Sequence, residues 1–174
     1  MRQTLDTVLA QTLLPVEWVI VDDGSIDQTP AILAEYAAQH PWIRVVTRPD
    51  RGGRSVGPGV IEAFYSGYQA INSGNYDFLC KLDLDLRLPP RYFEILIQRM
   101  NEDPRIATCS GKAYVEENGC LVNERHGDDT SLGMTKFYRR TCFETIGGFV
   151  REVRRTPGLR RLTPLLEAKA CGDK

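Results

Sequence analysis

Two aspartates one residue apart, Asp83 and Asp85, lie in the stretch Tyr76 to Pro90, which reads Y-D-F-L-C-K-L-D-L-D-L-R-L-P-P. From Cys80 to Leu88 the residue types alternate: Cys80, Leu82, Leu84, Leu86 and Leu88 against Lys81, Asp83, Asp85 and Arg87. A strand has a side-chain period of two, so an extended chain sets both carboxylates on one face. Side by side they repel, and something positive must offset them or water must screen them. Lys81 and Arg87 can do so as surface partners. A divalent cation does so better, because Mg2+ and Mn2+ take hard oxygen ligands. Spacing alone leaves both readings open. A second acidic pair, Asp22-Asp23, ends the apolar run Trp18 to Val21. A third charged segment, Arg48 to Gly59, holds four glycines, three arginines and two prolines.

The elements around these clusters follow from periodicity. Met1 to Thr12 carries Leu5, Val8, Leu9 and Thr12 on one helical stripe, and Pro15 lies beyond it. Trp18 to Val21 reads as a buried strand bounded by Asp22-Asp23-Gly24-Ser25. Thr29-Pro30 is a cap and first-turn pair, opening a helix with Ile32, Leu33, Tyr36 and Ala37 on one face and ending before Pro41. Ile43 to Val46 is the next strand. Val60 to Ile71 is a helix with Ile61, Phe64, Tyr65, Tyr68 and Ile71 inward and Gly74 past its end. The Asp83 strand follows and is stopped by Pro89-Pro90, and a helix runs from about Arg91 to Met100.

This alternation of helices and strands predicts a parallel α/β sheet with helices on both faces. Ligands of such sheets sit beyond the carboxyl ends of the strands, where all three charged clusters fall. After Pro104 the pattern becomes α+β: a strand from Ile106 to Val115, a turn at Gly119, a return strand Cys120 to Glu124, an acidic loop Gly127 to Gly133, a strand Thr135 to Arg139, and a helical turn Thr141 to Ile146 before Gly147-Gly148. From Val150 onward the periodicity is lost.

Composition narrows the possible functions. The 174 residues are 42% apolar and 26% charged, with a net charge of −1, as for one soluble globular domain without a nucleic-acid footprint. Residues 150–174 carry seven Lys or Arg against three acids, so the rest of the chain is net acidic. The five cysteines, Cys80, Cys109, Cys120, Cys142 and Cys171, are odd in number and contain no C-x-x-C, which suits a reducing compartment and predicts a cytoplasmic protein. No apolar run approaches the ~20 residues that span a bilayer. Gly57-Pro58-Gly59 lacks the third glycine of a dinucleotide fingerprint, and no P-loop or G-x-S-x-G elbow occurs. His40 and His126, the two histidines, read as loop residues, and Asp128-Asp129 as a solvated loop. Carboxylates, a cation and an arginine-rich glycine loop together suit a diphosphate ligand, with a metal stabilising a departing nucleoside diphosphate.

Three motifs in order make this specific. Trp18-Val-Ile-Val-Asp-Asp-Gly-Ser25 with Asp27-Gln-Thr29, then Lys81-Leu-Asp-Leu-Asp85 with Pro89-Pro-Arg-Tyr-Phe93, then Phe137-Tyr-Arg-Arg140 running to Ile146-Gly-Gly-Phe149, resemble a family-2 glycosyltransferase of the GT-A fold over roughly residues 1 to 150. The resemblance implies a Rossmann-like three-layer α/β sandwich with a mostly parallel central sheet. Its donor half would be about 1–100 and its acceptor half about 101–150, with 151–174 a basic, poorly ordered tail.

The implied activity is metal-assisted, inverting transfer of a sugar from a UDP- or GDP-sugar to a hydroxyl of a glycan, lipid or other acceptor. The implied cofactor is Mn2+ or Mg2+. By the same resemblance Asp22 and Asp23 meet the nucleotide base, Asp83 the sugar-nucleotide and the cation, Asp85 the cation, and Arg51 or Arg54 the nucleotide. The basic tail allows peripheral contact with anionic lipid at the inner face of a membrane.

Departures from the family pattern temper this. The family opens with an apolar strand and a P-x-Y-N-like loop, whereas this sequence starts at the following helix, so the interior first strand is expected to be absent. The family's N-x-G loop reads Arg51-Gly52-Gly53-Arg54 here. The family base is an Asp or Glu shortly after Gly-Gly-Phe; Glu152 is the nearby acid, and its arginine neighbours would hold its pKa down at close range. The composition shift near residue 153 is expected to mark a truncation or altered reading frame. The competing expectation is a non-catalytic nucleotide-binding remnant.

Overall fold

The computed structural model describes residues 1–50, 52, 58–124 and 131–149. Arg51, Arg54, His126, Glu152, most of the acidic loop and the basic tail lie outside the described residues. Within them the element order is α1 (Arg2–Leu9), β1 (Trp18–Asp22), α2 (Thr29–Gln39), β2 (Ile43–Thr47), α3 (Pro58–Gln69), β3 (Phe78–Leu82), α4 (Tyr92–Glu102), β4 (Thr108–Cys109), β5 (Tyr114–Glu117), β6 (Cys120–Asn123), β7 (Thr135–Arg139) and α5 (Arg140–Thr145). The predicted alternation through α4 therefore stands, with most boundaries moved by one to three residues.

Two sheets make the middle layer. β1 and β2 pair in parallel, Trp18 opposite Ile43 and Asp22 opposite Thr47. β3, β7 and β4 form a second sheet in that order, with β7 antiparallel to both neighbours. β5 and β6 make a separate hairpin, turned by Asn118 and Gly119 at φ of 52° and 77°, the left-handed pair that a two-residue hairpin turn favours. Side chains of alternate parity leave β1 on opposite faces. Ile20 packs with Leu5 of α1, Leu33 of α2 and Ile43. On the other face α3 comes so close that a Cβ on Gly67 would lie 2.8 Å from Val21. Helices thus cover both faces.

A second cluster joins Val8 of α1 to Phe93, Leu96 and Met100 of α4 and to Phe137 of β7, with Phe78, Cys80 and Leu82 of β3 packed against it. Helix α1 serves both clusters, Leu5 in one and Val8 in the other, and both side chains are essentially inaccessible. Burying a Leu or Val in this way contributes about 1.5–3 kcal/mol each, so this short helix is held by packing rather than by propensity. Helix α2 also departs from expectation: its N-cap is Gln28 rather than Thr29, and the carboxylate of Asp27 accepts the Thr29 amide hydrogen bond at 2.8 Å.

Two predicted strands are corrected. The alternating stretch does not stay extended to Leu88, because β3 ends at Leu82 and Leu84-Asp85 form a turn. The alternation there records packing: Leu84 joins the Ile20 cluster, while Leu86 and Leu88 join the Phe93 cluster. The strand predicted over Ile106 to Val115 is split into β4 and β5. Between them the Gly111 amide donates to the Tyr92 hydroxyl at 2.9 Å, and a Cβ on Gly111 would lie 2.6 Å from the Tyr92 ring. The chain bends around that buried tyrosine.

Candidate functional site

The carboxyl ends of β1 and β3 carry the two acidic pairs. They point the same way: Glu17, just before β1, accepts the amides of Asn72 and Ser73, just ahead of β3, and at the other end Leu84 packs beside Ile20. Burial acts to raise the Glu17 pKa. The Ser73 amide, the Arg44 guanidinium at 2.9 Å and the Asn72 amide outweigh it and hold the carboxyl below its ordinary range.

Asp22 is 3% exposed. Its Oδ1 accepts the Ser25 amide at 3.0 Å, its carbonyl accepts the Arg48 amide at 2.8 Å, and its Oδ2 is buried with no hydrogen-bond partner. A buried carboxylate oxygen left in this state is costly unless a donor meets it. The local backbone explains the placement. Gly24 has φ +82°, and a Cβ there would lie 2.4 Å from the Asp50 Cα, so the turn after β1 and the loop after β2 meet backbone to backbone.

Asp23 lies beside Arg48, whose Nη1 is 2.9 Å from the Asp23 Oδ1, close enough for an ion pair although not directed as a hydrogen bond. The other Arg48 nitrogen, Nη2, is 3.5 Å from Glu62 of α3. The side chain of Arg48 is only 17% exposed, so its charge is fixed at the rim rather than free in solvent. Arg48 belongs to the arginine loop but was not singled out from the sequence. Its position one residue past β2, at a carboxyl strand end, was the available signal.

The Asp83-Asp85 pair is held differently. The Asp83 amide continues the β3–β7 ladder by donating to the Met134 carbonyl at 2.9 Å. Its carboxylate is paired with the Lys81 ammonium, which also donates to the Gly133 carbonyl at 2.9 Å. Lys81 is therefore the surface partner of Asp83. Asp85 is exposed in the turn. Because the chain leaves the sheet at Leu82, the two carboxylates do not share a strand face.

A polar stripe on α1 fixes the chain after the turn. Thr4 Oγ1 accepts the Leu86 amide at 3.0 Å, and Thr7 Oγ1 accepts the Leu88 amide at 3.4 Å. Gln11 donates to the Pro89 carbonyl at 2.8 Å and accepts the Phe93 amide at 3.3 Å. Thr4 and Thr7 share one face of α1, and Gln11 follows just past its end. Sequence reasoning missed them by following only the apolar stripe beside them.

Among the described residues no group of three or more His, Cys, Asp or Glu side chains forms a metal cage. Two hard carboxylates at an open strand end nonetheless fit a cation of the Mg2+ or Mn2+ kind, which keeps waters and takes further oxygens from a bound phosphate.

The third motif packs against α3. The Tyr65 hydroxyl donates to the Phe149 carbonyl at 2.8 Å, and the Phe149 ring meets Phe64, Phe143 and Tyr138. A Cβ on Gly148, at φ +76°, would lie 2.4 Å from the Tyr65 hydroxyl, so the second glycine is required. The cysteines Cys80, Cys109, Cys120 and Cys142 are free thiols. No helix among the described residues is long and apolar enough to cross a membrane.

Comparison with known proteins places this geometry. The putative glycosyltransferase EpsH of Bacillus subtilis is 27% identical over 143 residues, covering 82% of this chain and 39% of that protein. Chondroitin synthase of Escherichia coli is 29% identical over 123 residues, 68% of this chain and 16% of that one. The chain thus spans less than half the length of these relatives. Among solved structures, the mannosyltransferase PcManGT of Pyrobaculum calidifontis, in complex with GDP-Man and Mn2+, matches with a TM-score of 0.57 at 18% identity, over 87% of this chain and 44% of that one. That likeness establishes the GT-A fold, an α/β architecture. The model for "Glycosyl transferase family 2" matches residues 1–154, and the chain belongs to that family.

Proposed function

We propose that this protein transfers a sugar from a nucleoside diphosphate sugar, UDP- or GDP-linked, to an acceptor hydroxyl, with inversion at the anomeric carbon. The observation that carries the reading is the buried, unpartnered Oδ2 of Asp22 at the carboxyl end of β1. It is an acceptor in want of a donor, and the N–H edge of a nucleotide base is a fitting one. The nucleotide sugar bound by the structural neighbour supports the same donor class.

In this reading Asp22 and Asp23 bind the base, with Arg48 holding Asp23 in place. Arg51 or Arg54 meets the nucleotide. Asp83 faces the ribose and the cation, and Asp85 the cation. Mg2+ or Mn2+, when bound, supplies Lewis-acid stabilisation of the charge that collects on the leaving diphosphate. The acceptor oxygen forms the new bond to the anomeric carbon as the bond to the diphosphate breaks. The electron pair leaves on the diphosphate oxygen, and the acceptor proton passes to a base. Glu152, the first acid after Phe149, is the residue to test for that role. The free thiols fit a cytoplasmic setting.

The test is release of UDP or GDP from a panel of nucleotide sugars, with and without Mn2+. The reading predicts metal-dependent release that Asp85→Ala abolishes. Nucleotide binding without turnover on any donor would reassign the chain to a nucleotide-binding remnant.

A further inference from the structure

Thr4 is as inaccessible to water as Leu5 beside it, although it carries a hydroxyl. A hydroxyl placed there needs a partner within the protein. On a helix a threonine commonly finds one in a carbonyl of the preceding turn, and Thr7 does, donating to the Thr4 carbonyl at 3.1 Å. Thr4 reaches out of the helix instead. Its Oγ1 accepts the Leu86 amide at 3.0 Å, and Leu86 is the first residue after the Leu84-Asp85 turn. One step along, Thr7 Oγ1 accepts the Leu88 amide at 3.4 Å. Two amides two residues apart thus meet two hydroxyls about 5–6 Å apart on one helix face. The turn that presents Asp85 is held on both sides. The Asp83 amide is tied to the Met134 carbonyl just ahead of β7, and the Leu86 amide to α1. Leu84 packs between them against the Ile20 cluster, while Asp85 projects into solvent.

We propose that Thr4 is a positioning residue for the cation: its buried hydroxyl fixes the backbone after the turn, so that Asp85 is presented to the metal from a set place. The inference rests on the reading of Asp85 as a cation ligand. Mg2+ and Mn2+ demand near-ideal geometry from the few protein oxygens they take, so a ligand on a loose turn is a poor one. Without the Thr4 acceptor no water can replace it, because the position is closed to solvent. The next ties are Thr7 to Leu88 and Gln11 to Pro89, so the slack falls on residues 83–87. Apparent affinity falls in proportion to the share of molecules in the competent arrangement. A turn that keeps that arrangement one time in ten forfeits tenfold in the affinity the metal adds. The nucleotide contacts assigned to Asp22 lie on β1 and do not depend on this tie.

The test is calorimetric titration of UDP and GDP into the full chain, with and without Mn2+, for wild type, Thr4→Val, Thr4→Ser and Asp85→Ala. Valine keeps the shape of threonine and removes the acceptor; serine keeps the acceptor. The proposal predicts that Thr4→Val loses about tenfold of the Mn2+-dependent gain in affinity, keeps the metal-free affinity, and that Thr4→Ser restores the gain. Phe143→Leu, in the aromatic cluster with Tyr138 and Phe149, is the control for lost stability alone. It should lower the melting temperature and leave the Mn2+ gain intact. Equal loss with and without Mn2+, equal loss in Phe143→Leu, or no rescue by serine overturns the proposal. A gain that Asp85→Ala removes and Thr4→Val leaves whole overturns it and spares the cation reading; a wild type with no Mn2+ gain overturns both. Wild-type hydrogen exchange without ligand gives a check that needs no variant to fold. The Leu86 amide should exchange at least about 100-fold slower than in an unstructured chain, and exchange at the unstructured rate overturns the proposal.

Discussion

Asp22 and Asp83 stand at corresponding ends of two five-residue strands, yet one carboxylate is fixed and the other is provisional. Asp22 is buried, oriented by the Ser25 amide and locked under a loop that Gly24 allows to approach. Asp83 has a 42%-exposed side chain paired with Lys81, and Asp85 lies in open solvent. The difference lies in the path of the chain beyond each strand. After β1 the chain turns tightly against the loop that leaves β2. After β3 it abandons the sheet and is caught only at Leu86, by α1. A base-recognition site can be built into the fold in advance. A cation site that borrows oxygens from its substrate is completed only on binding.

The largest effect that sharpens this contrast is expected from Asp85→Ala. It should reduce Mn2+-dependent nucleotide affinity by about 100-fold, or about 2.8 kcal/mol, and leave the melting temperature unchanged, as exposed positions do. Calorimetry with and without metal, beside a thermal melt, checks both halves. A variant that melts early would mean that Asp85 is structural. Next comes Asp22→Asn, which keeps an acceptor for the Ser25 amide but sets an NH2 donor where Oδ2 stands. Nucleotide affinity should fall by roughly 1.5–3 kcal/mol with or without Mn2+, and a loss seen only with metal would erase the distinction between the two sites.

Glu17→Gln tests the tie that keeps the sites in register, since Glu17 links the start of β1 to the approach of β3. It should destabilise the chain by about 1–2 kcal/mol, measured by urea unfolding near neutral pH. The folded pKa of Glu17 is lowered, so its contribution is complete above the ordinary glutamate value and is lost as pH falls through the folded one. The difference between wild type and Glu17→Gln should therefore shrink below about pH 4. Equal stability of the two at pH 7 would break the argument. The smallest effect belongs to Lys81→Met. Removing the partner of Asp83 forgoes an ion pair worth about 0–1 kcal/mol and should raise apparent Mn2+ affinity by up to about fivefold. A fall in affinity would show that Lys81 helps to build the site.

The sequence made the first of these regions far more legible than the second. The Trp18 strand and the apolar face of α2 follow from local rules of period, and the structure keeps them almost unchanged, while the cap of α2 moves by one residue from Thr29 to Gln28. The Leu82, Leu84, Leu86 and Leu88 pattern misleads because it satisfies two different cores in succession, which a period of two cannot distinguish from a strand. The insertion of β7 between β3 and β4 is a pairing across more than fifty residues, and no local signal announces it. The bend at Gly111 depends on a tyrosine nineteen residues earlier. Arg48, Thr4, Thr7 and Gln11 were missed for the same reason: each acts on a distant backbone or charge, and their types are ordinary where they stand.

The most direct test of the central claim is calorimetric titration of UDP and then GDP into the full chain, with and without Mn2+. The account predicts saturable binding of one of these nucleotides, strengthened by the metal and weakened by Asp22→Asn in both conditions. A chain that shows a cooperative thermal transition and binds neither nucleotide, with or without Mn2+, would contradict it.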